Sequence, residues 1–563
     1  MTPLLELTRD VLKAAVAAAA EASGWKLDRT DIVIETPRDP SHGDLATTVA
    51  LALAKEVKKN PREIAQTLQE RIENSPPPED IAPLESIEIA GPGFLNFRFA
   101  DVWLERGLAE TLGGGVEYGR SGRMEGESIL FEFISANPTG PLNVVSARAA
   151  AIGDTLAALC DAAGARVGRE FYINDAGRQV RLLGESLEAR VLQQLGEEAP
   201  IPEEGYHGEY LVTMADRLIS GTLPDWWEES DREARMGNLS RWAVDQVVED
   251  QKAIVELFGL RFDSWFREST LHDSGAVQET LDDLRSRGHI FESEGAVWFR
   301  SSGFGDEKDH VLVTGEGHPT YLLPDIAYHR DKYDRGWGRL IDLWGPDHHG
   351  YIARMSAALE ALGHERESFG VMIVQQVNLM RGGEIVKMSK RAGKLIEMKE
   401  LLEEVGRDAA RFFFLMRATS THLDFDLDLA VSKNEENPVY YVQYAHARIS
   451  SVFERARSEG IDPDAAVASA DLSRLIEPEE RVLMRLLMDF PALVADAAEA
   501  FEPHRIPAYL RQLSAAFHHF YHNHRIVGSE TEVQAARLAL SVGVRQVLVN
   551  GLTCLGVSAP ERM

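Results

Sequence analysis

Cysteine is scarce in this sequence, which has only two among 563 residues. Cys160 and Cys554 lie far apart, each inside an apolar stretch. Their small number and wide separation exclude a disulfide framework and a zinc site built from cysteines, because both need several thiols at suitable spacing. The scarcity is typical of a protein of the reducing cytosol, so we expect a cytoplasmic location.

Long apolar runs are also missing, and none approaches the roughly 20 residues that span a bilayer. The N-terminal segment carries an alanine-rich run at 14–20 that Asp10, Lys13 and Glu21 bracket, with no basic leader before it. The composition predicts an alanine-rich helix and not a signal peptide. We therefore expect no membrane partner.

Basic residues are outnumbered, with 59 Lys and Arg against 90 Asp and Glu, which gives a formal net charge of −31. Such a charge at first argues against a nucleic-acid partner. Net charge governs solubility and long-range repulsion, however, whereas binding depends on local patches. Positive charge is concentrated in segments 55–62 and 387–394, so a nucleic-acid partner stays open.

The stretch 384–394 is the most informative part of the chain. Lys387 and Lys390 place two ammonium groups three residues apart around Met388 and Ser389, and more basic residues follow. A loop with this charge is suited to close over a polyphosphate and to stabilise the negative charge that develops there. Taken alone, however, a short basic run of this kind is more often a solvated basic turn.

The length is too great for one hydrophobic core and predicts several domains. We expect an α+β unit at 1–112, an α/β unit with a parallel sheet at 113–435, and a helical bundle at 436–563. A polar, mostly helical insertion interrupts the α/β unit at about 180–300. In the N-terminal unit we predict a strand at 32–35 and a helix at 46–57.

A strand at 128–134, a loop with Gly and Pro, and a helix at about 144–163 open the α/β unit. This order is typical of a nucleotide-binding sheet, in which the helix N-terminus offers free N–H groups to phosphate. Buried strands at 167–173, 339–344 and 371–374 continue the pattern. An early Gly-x-Gly-x-x-Gly turn is absent, which argues against an unrelated dinucleotide enzyme.

Residues 387–390 resemble the Lys-Met-Ser-Lys signature of the class I aminoacyl-tRNA synthetases. The surrounding chain is similar to the bacterial arginyl-tRNA synthetases in particular. The family resemblance implies a Rossmann-like catalytic domain, an N-terminal domain that binds the tRNA elbow and an all-α C-terminal domain that binds the anticodon. The matching segments are 43–47, 91–97, 132–142, 172–179, 321–329, 344–351, 406–416 and 556–563.

One departure from the family lies at Asn143, Val144, Val145 and Ser146, where the family has His-x-Gly-His. The family's histidines help to bind the triphosphate, and its glycine lets adenine stack close to the backbone. Asn143 and Ser146 keep hydrogen-bond donors but carry no charge. Val145 would crowd an adenine that relies on a missing Cβ atom.

Two interpretations of this departure compete. In a working enzyme, Lys387, Lys390 and the Mg²⁺ that arrives with ATP carry the phosphate charge, and the protein needs no metal site of its own. Alternatively, the chain is a catalytically silent relative that binds tRNA or arginine. The intact Lys-Met-Ser-Lys segment and amino-acid pocket favour the enzyme.

The resemblance assigns the arginine guanidinium to Asp325 and Glu268, and the aliphatic stem to Tyr321. Carboxylates in fork geometry suit a planar guanidinium and reject both lysine and citrulline. From the residues alone, Asp325 also fits a helix N-cap, and Glu268 also fits a surface acid.

The resemblance places Asn137 and His348 near the α-amino and carboxylate groups of arginine, with Glu132 supporting the loop at the strand end. His348 and His349 suggest a metal pair, but adjacent histidines face apart in a strand and no third ligand is suitably spaced.

The implied reaction has two steps. The arginine carboxylate attacks the α-phosphate of ATP, and the terminal ribose of tRNA(Arg) then takes the arginyl group at its 2′-hydroxyl. Both steps depend on positioning and electrostatics more than on a protein base. The family commonly acts as a monomer and activates arginine only with tRNA bound.

Aromatic side chains are the expected platforms for single-stranded anticodon bases. In the C-terminal unit, Tyr440, Tyr444 and Met563 are the candidates, although the helical spacing of the two tyrosines also fits core packing of at least one. For the tRNA elbow, Phe94 and Asn96 are the candidates.

Overall fold

The computed structural model describes residues 2–37, 39–77, 83–220, 223–228, 231–386 and 396–563. Lys387, Met388, Ser389 and Lys390, which we predict to bind phosphate, lie outside the described residues. Within these ranges no helix has both the length and the apolar character needed to cross a bilayer.

The N-terminal unit packs helices against a small antiparallel sheet of strand order β1-β3-β2. The predicted strand at 32–35 is wrong, because only Glu35 pairs there, in a single bridge to Ala46. The predicted helix at 46–57 begins later, because the residues before it pair with β3. The elements are α1 (Leu4–Ala22), β1 (Leu45–Thr47), α2 (Val49–Val57), α3 (Pro61–Asn74), β2 (Leu84–Ala90), β3 (Phe94–Phe99) and α4 (Val102–Gly114).

The central unit is built on a five-stranded parallel sheet of order β11-β10-β4-β5-β6, so the predicted α/β architecture is confirmed. The chain moves from β4 towards β6 on one side and later returns to β10 on the other side. The strand order therefore reverses beside β4, where open sheets of this kind bind ligands. The unit also holds two three-stranded sheets, of order β7-β8-β9 and β13-β12-β14. Its strands are β4 (Ser128–Glu132), β5 (Arg166–Ile173), β6 (Ser264–Arg267), β7 (Ile290–Ser293), β8 (Ala296–Phe299), β9 (His310–Val313), β10 (Arg339–Trp344), β11 (Phe369–Ile373), β12 (Val377–Arg381), β13 (Glu384–Ile385) and β14 (Leu423–Asp426).

Helices surround this sheet and form the insertion between β5 and β6. Their bounds are α5 (Val144–Ala162), α6 (Arg178–Gln194), α7 (Glu209–Ile219), α8 (Arg232–Leu257), α9 (Glu268–Ser274), α10 (Ala276–Ser286), α11 (Leu322–Asp334), α12 (Ile352–Ala361), α13 (Met398–Val405), α14 (Arg407–Leu415) and α15 (Leu427–Val431).

The C-terminal unit is a helical bundle that packs against both other units. Arg411 on α14 is fully buried and donates to the Leu555 carbonyl at 2.6 Å and to the Asp154 carboxylate at 2.5 Å, which ties the bundle to the sheet domain. Its neighbours Phe412 to Leu415 are at most 5% exposed, so they belong to the core. The bundle helices are α16 (Pro438–Ser458), α17 (Pro463–Ala468), α18 (Pro478–Glu499), α19 (Arg505–Asn523) and α20 (Thr531–Cys554).

Candidate functional site

A cavity of about 900 Å³ opens at the carboxyl ends of β4, β5 and β10, beside the reversal of strand order. Parallel strands bring the polar residues that follow them to one edge of the sheet, which explains why distant segments meet here. All six residues predicted to bind arginine line this cavity: Glu132, Asn137, Glu268, Tyr321, Asp325 and His348.

Asp325 lies in the first turn of α11, and Tyr321 occupies the N-cap position without a capping hydrogen bond. The N-cap interpretation of Asp325 is therefore wrong, because its carboxylate points into the cavity instead of towards the helix end. Burial and then the nearby charge of Asp325 raise the pKa of Tyr351, whose side chain lines the same cavity.

Glu268 begins α9 and is not a surface acid, since only 14% of its side chain is exposed. Its carboxylate accepts a hydrogen bond from the Tyr172 hydroxyl at 2.8 Å and lies 3.3 Å from His272 Nε2. Burial and then the Glu268 charge raise the pKa of Tyr172, which keeps that hydroxyl protonated as a donor. The carboxylate is thus oriented towards the cavity.

Tyr321, Asn137 and His348 lie at the cavity mouth. Tyr321 is 72% exposed, and its hydroxyl accepts a hydrogen bond from Arg354 Nη1 at 3.0 Å. Asn137 Nδ2 donates to Gln179 Oε1 at 2.8 Å. His348 belongs to the 3₁₀ helix Pro346–Tyr351 and not to a strand. Among the described residues, no cluster of three metal-binding side chains includes it.

The loop after β4 is strained and firmly held. Ile134 and Ser135 have φ values of 69° and 38°, a region that residues with side chains seldom occupy. Ser135 Oγ donates to Glu132 Oε1 at 2.7 Å and accepts from the Tyr172 backbone N–H at 3.1 Å. These bonds fix the backbone immediately before Asn137.

The insertion holds the other end of the same loop. Gln251 on α8 donates through Nε2 to the Gly140 carbonyl at 3.1 Å. Tyr210 on α7 donates to the Thr139 carbonyl at 2.5 Å. The loop therefore connects β4 to α5 in a defined position.

A buried charge network forms the floor of the cavity. Lys332 is fully buried, and its ammonium lies 2.5 Å from Glu132 Oε2 and 3.1 Å from Asp342 Oδ1. Burial opposes this ammonium charge, but Asp342 and Glu132 outweigh it and raise the pKa of Lys332. Glu132, His329 and Asp342 also have the spacing of a metal site, yet Lys332 already supplies a cation to both carboxylates.

His329 completes this network. Its Nε2 lies 2.8 Å from Asp342 Oδ2, and its Nδ1 faces Asp325. Burial and Lys332 oppose a charge on the ring, but Asp342 and Asp325 outweigh them and raise the pKa of His329 to about 10. Sequence reasoning missed Lys332, His329 and Asp342. The one available signal was Asp342 itself, an acid inside the apolar strand β10.

The N-terminus of α5 does not offer the free N–H groups that we predicted. Asn143 is the N-cap, and its Oδ1 accepts from the backbone N–H groups of Val145 at 2.9 Å and Ser146 at 3.2 Å. The Val144 N–H donates to the Ile396 carbonyl at 3.3 Å. An asparagine at this position caps the helix well, and so it occupies the donors that phosphate would use.

The predicted tRNA-binding residues of the bundle are half-buried or exposed. The rings of Tyr440 and Tyr444 stack at 5.9 Å, and neither is in the core, so the core-packing interpretation is wrong for both. Tyr444 and Met563 line a groove of about 970 Å³, whereas Tyr440 lines a second groove with Met563. The basic side chains of the first groove are Arg448, Arg455, His522, His524, Arg525 and Arg562.

The two predicted elbow residues differ in accessibility. Phe94 is 37% exposed at the start of β3. Asn96 is 6% exposed, because its side chain turns into the N-terminal unit. The two do not form one exposed surface.

Comparison with known families gives matches along almost the whole chain. The arginyl tRNA synthetase N-terminal domain matches residues 8–99, the class I (R) tRNA synthetase catalytic domain residues 109–416, and the DALR anticodon binding domain residues 442–563.

Individual proteins give the same result. An arginine–tRNA ligase of Desulforudis audaxviator is 49% identical over 94% of this chain and 93% of its own length. One from Bacillus subtilis is 43% identical over the full length of both chains. The arginyl-tRNA synthetase structure of Thermus thermophilus has a TM-score of 0.75 and 26% identity, and the match covers 99% of this chain and 100% of that one.

Replacing the buried ammonium tests the cavity floor. We expect Lys332→Met to lower the free energy of unfolding by about 3–5 kcal/mol, because it leaves two buried carboxylates without their cation. Lys399→Met is the matched control, since Lys399 forms an exposed pair with Glu403, and we expect a change within about 0.5 kcal/mol. Urea unfolding measures both, and equal effects would contradict a network that supports the site.

Proposed function

Because this chain belongs to the arginyl-tRNA synthetase family, we propose that the cavity binds arginine and that the protein joins it to tRNA(Arg) through an adenylate formed from ATP. One observation carries the proposal. Glu268 and Asp325 face the same cavity from different helices, while the acids behind them, Glu132 and Asp342, are paired with a buried lysine.

Two carboxylates in a partly buried cavity suit a guanidinium. Its planar fork of donors can satisfy acceptors on both sides, which the compact ammonium of lysine cannot do. The Tyr321 ring at the mouth would cover the aliphatic stem. Asn137 and His348 are the polar groups at the same opening, where the α-amino and carboxylate groups of the substrate would lie.

The ATP site is proposed to lie between the start of α5 and the Lys-Met-Ser-Lys segment. Asn143 pairs with Glu397 in a β-bridge, and Glu397 follows closely after that segment in the chain. We assign ATP binding to Asn143, Val145 and Ser146 together with residues 387–390. Lys387, Lys390 and the Mg²⁺ that arrives with ATP would stabilise the charge that develops on the pyrophosphate leaving group.

The groove on the bundle is the proposed anticodon surface. Tyr444 offers a ring for base stacking, and Arg448 lies over that ring at 4.5 Å. Four arginines and two histidines line the groove of a protein that is otherwise strongly acidic. A local basic patch of this kind allows phosphate contacts despite the net charge.

Arginine-dependent pyrophosphate exchange, with tRNA present, tests the function. We expect exchange in the natural protein and a rise of about 30-fold or more in the KM for arginine in Asp325→Asn and Glu268→Gln, because each variant removes a charge from the guanidinium site. Asp273→Asn is the control, since this exposed acid shares α9 with Glu268 but does not line the cavity. Absence of exchange with every tRNA would instead favour a relative that binds without activating.

Restoring the family signature tests the ATP site. We expect the triple variant Asn143→His, Val145→Gly and Ser146→His to lower the KM for ATP about tenfold, since imidazolium donors bind phosphate more strongly than neutral ones. Its stability should fall by about 1–2 kcal/mol, because the cap is lost and a helical glycine is introduced. Val145→Ala is the control for the removed bulk, and an unchanged KM for ATP in the triple variant would contradict the assignment.

Two arginines on α16 test the anticodon surface. Arg455 lines the groove, whereas Arg457 lies two residues further on and outside it. We expect Arg455→Ala to weaken tRNA binding and to reduce the slope of log K against log salt by about one, as loss of a phosphate contact does. Arg457→Ala should leave both quantities unchanged, and equal effects in a filter-binding titration would reject the groove.

A further inference from the structure

His329 faces acceptors on both sides of its ring. Nδ1 lies 2.8 Å from the Asp325 carbonyl oxygen and 3.3 Å from Asp325 Oδ1. Nε2 lies 2.8 Å from Asp342 Oδ2, and the other oxygen of Asp342 accepts from Lys332. Because each nitrogen meets only oxygen acceptors, each must carry a proton to form its hydrogen bond. The geometry therefore requires an imidazolium.

An imidazolium at this position completes the charge balance of the cavity floor. Lys332 and His329 supply two positive charges, which match the negative charges of Glu132 and Asp342. The buried floor is then neutral as a whole. The excess negative charge belongs to Glu268 and Asp325, the carboxylates that face the cavity.

The Asp325 carboxylate is directed by two neighbours, the His329 ring and the Tyr351 hydroxyl. Among the described residues, His329 is its one charged partner within 4 Å, and 30% of the Asp325 side chain is exposed. An aspartate held only by solvent samples several orientations about its terminal torsion, so a bound guanidinium would have to restrict it. Nδ1 of His329 donates to the Asp325 carbonyl at 2.8 Å and lies 3.3 Å from Oδ1 of the same residue, so the ring attracts one carboxylate oxygen and leaves the second free to face the cavity.

We propose that His329 is a positioning residue that sets the direction of the Asp325 carboxylate and thereby the affinity of the cavity for a guanidinium. This inference rests on the proposed arginine-binding function. The ring itself does not contact the arginine. It acts through Asp325, and its effect belongs to arginine binding instead of the chemical step.

A purely structural role would also explain the charge balance of the floor, because the ring neutralises buried Asp342. The two roles use different nitrogens, and so they can be separated. The Nδ2 amide of asparagine occupies the place of histidine Nδ1, whereas the Nε2 amide of glutamine occupies the place of histidine Nε2. His329→Asn thus keeps the donor to Asp325, and His329→Gln keeps the donor to Asp342.

The experiment compares these two variants in tRNA-dependent pyrophosphate exchange over a range of arginine concentrations. We expect His329→Gln to raise the KM for arginine about tenfold, with kcat within about threefold, since one charge-assisted hydrogen bond to Asp325 is lost. His329→Asn should raise that KM by less than about threefold. The KM for ATP should stay unchanged in both variants. A larger arginine KM in His329→Asn than in His329→Gln would overturn the proposal.

A further variant covers the possibility that His329→Gln does not fold. Asp342→Asn weakens the contact on the far side of the ring and leaves Nδ1 facing Asp325. We expect a lower thermal midpoint but an arginine KM within about threefold of the natural protein. A tenfold rise would assign His329 to charge compensation and overturn the proposal. Exchange by the natural protein, together with the higher arginine KM expected for Asp325→Asn, tests the proposed function separately.

Discussion

The ammonium of Lys332 between Glu132 and Asp342 is the interaction on which the site depends. Two carboxylates at the floor of a cavity would repel each other and take up protons if no cation lay between them. With the lysine in place, β4, β10 and α11 are tied together at the edge of the sheet where the cavity opens. The same contact anchors Glu132, which holds the strained turn at Ser135. The contact between Lys332 and Glu132 thus supports both the stability of the floor and the shape of the cavity.

Elements far apart in sequence then converge on the loop between β4 and α5. Tyr210 and Gln251 of the insertion hold its carbonyl groups, while Ser135 holds its beginning. A surface loop usually moves more than the elements that it connects. Here the insertion restricts it, so that the cavity residues and the start of α5 keep a fixed separation. Fixed separation is what a reaction between two bound substrates needs.

The sequence allowed the order of strands and helices and the parallel sheet to be predicted, because hydrophobic periodicity is a property of neighbouring residues. The six cavity residues were predicted only from the resemblance to a known family. Lys332, His329 and Asp342 could not be found in this way. The partner of Lys332 lies 200 residues away on β4, and only the pairing of β4 with β10 brings it near. The prediction of a strand at 32–35 failed for a similar reason, since an apolar stretch becomes a strand only where a neighbouring strand pairs with it.

The altered signature at 143–146 changes which groups at the start of α5 are free to form hydrogen bonds. Phosphate and the Asn143 side chain compete for the same backbone N–H groups at the start of α5, and in this structure Asn143 and Ile396 occupy them. Phosphate binding by this helix end would therefore have to displace its cap, at a cost of about 1 kcal/mol. If the cap instead stays in place, the stability of α5 does not change. With its oxygen used in the cap, the Asn143 amide still has its Nδ2 donor, and it can act beside Ser146 while cationic side chains carry the charge. If ATP binds here as proposed, phosphate recognition would move from the helix backbone to side chains, and the basic segment 387–394 is a source of such side chains in a chain of net charge −31.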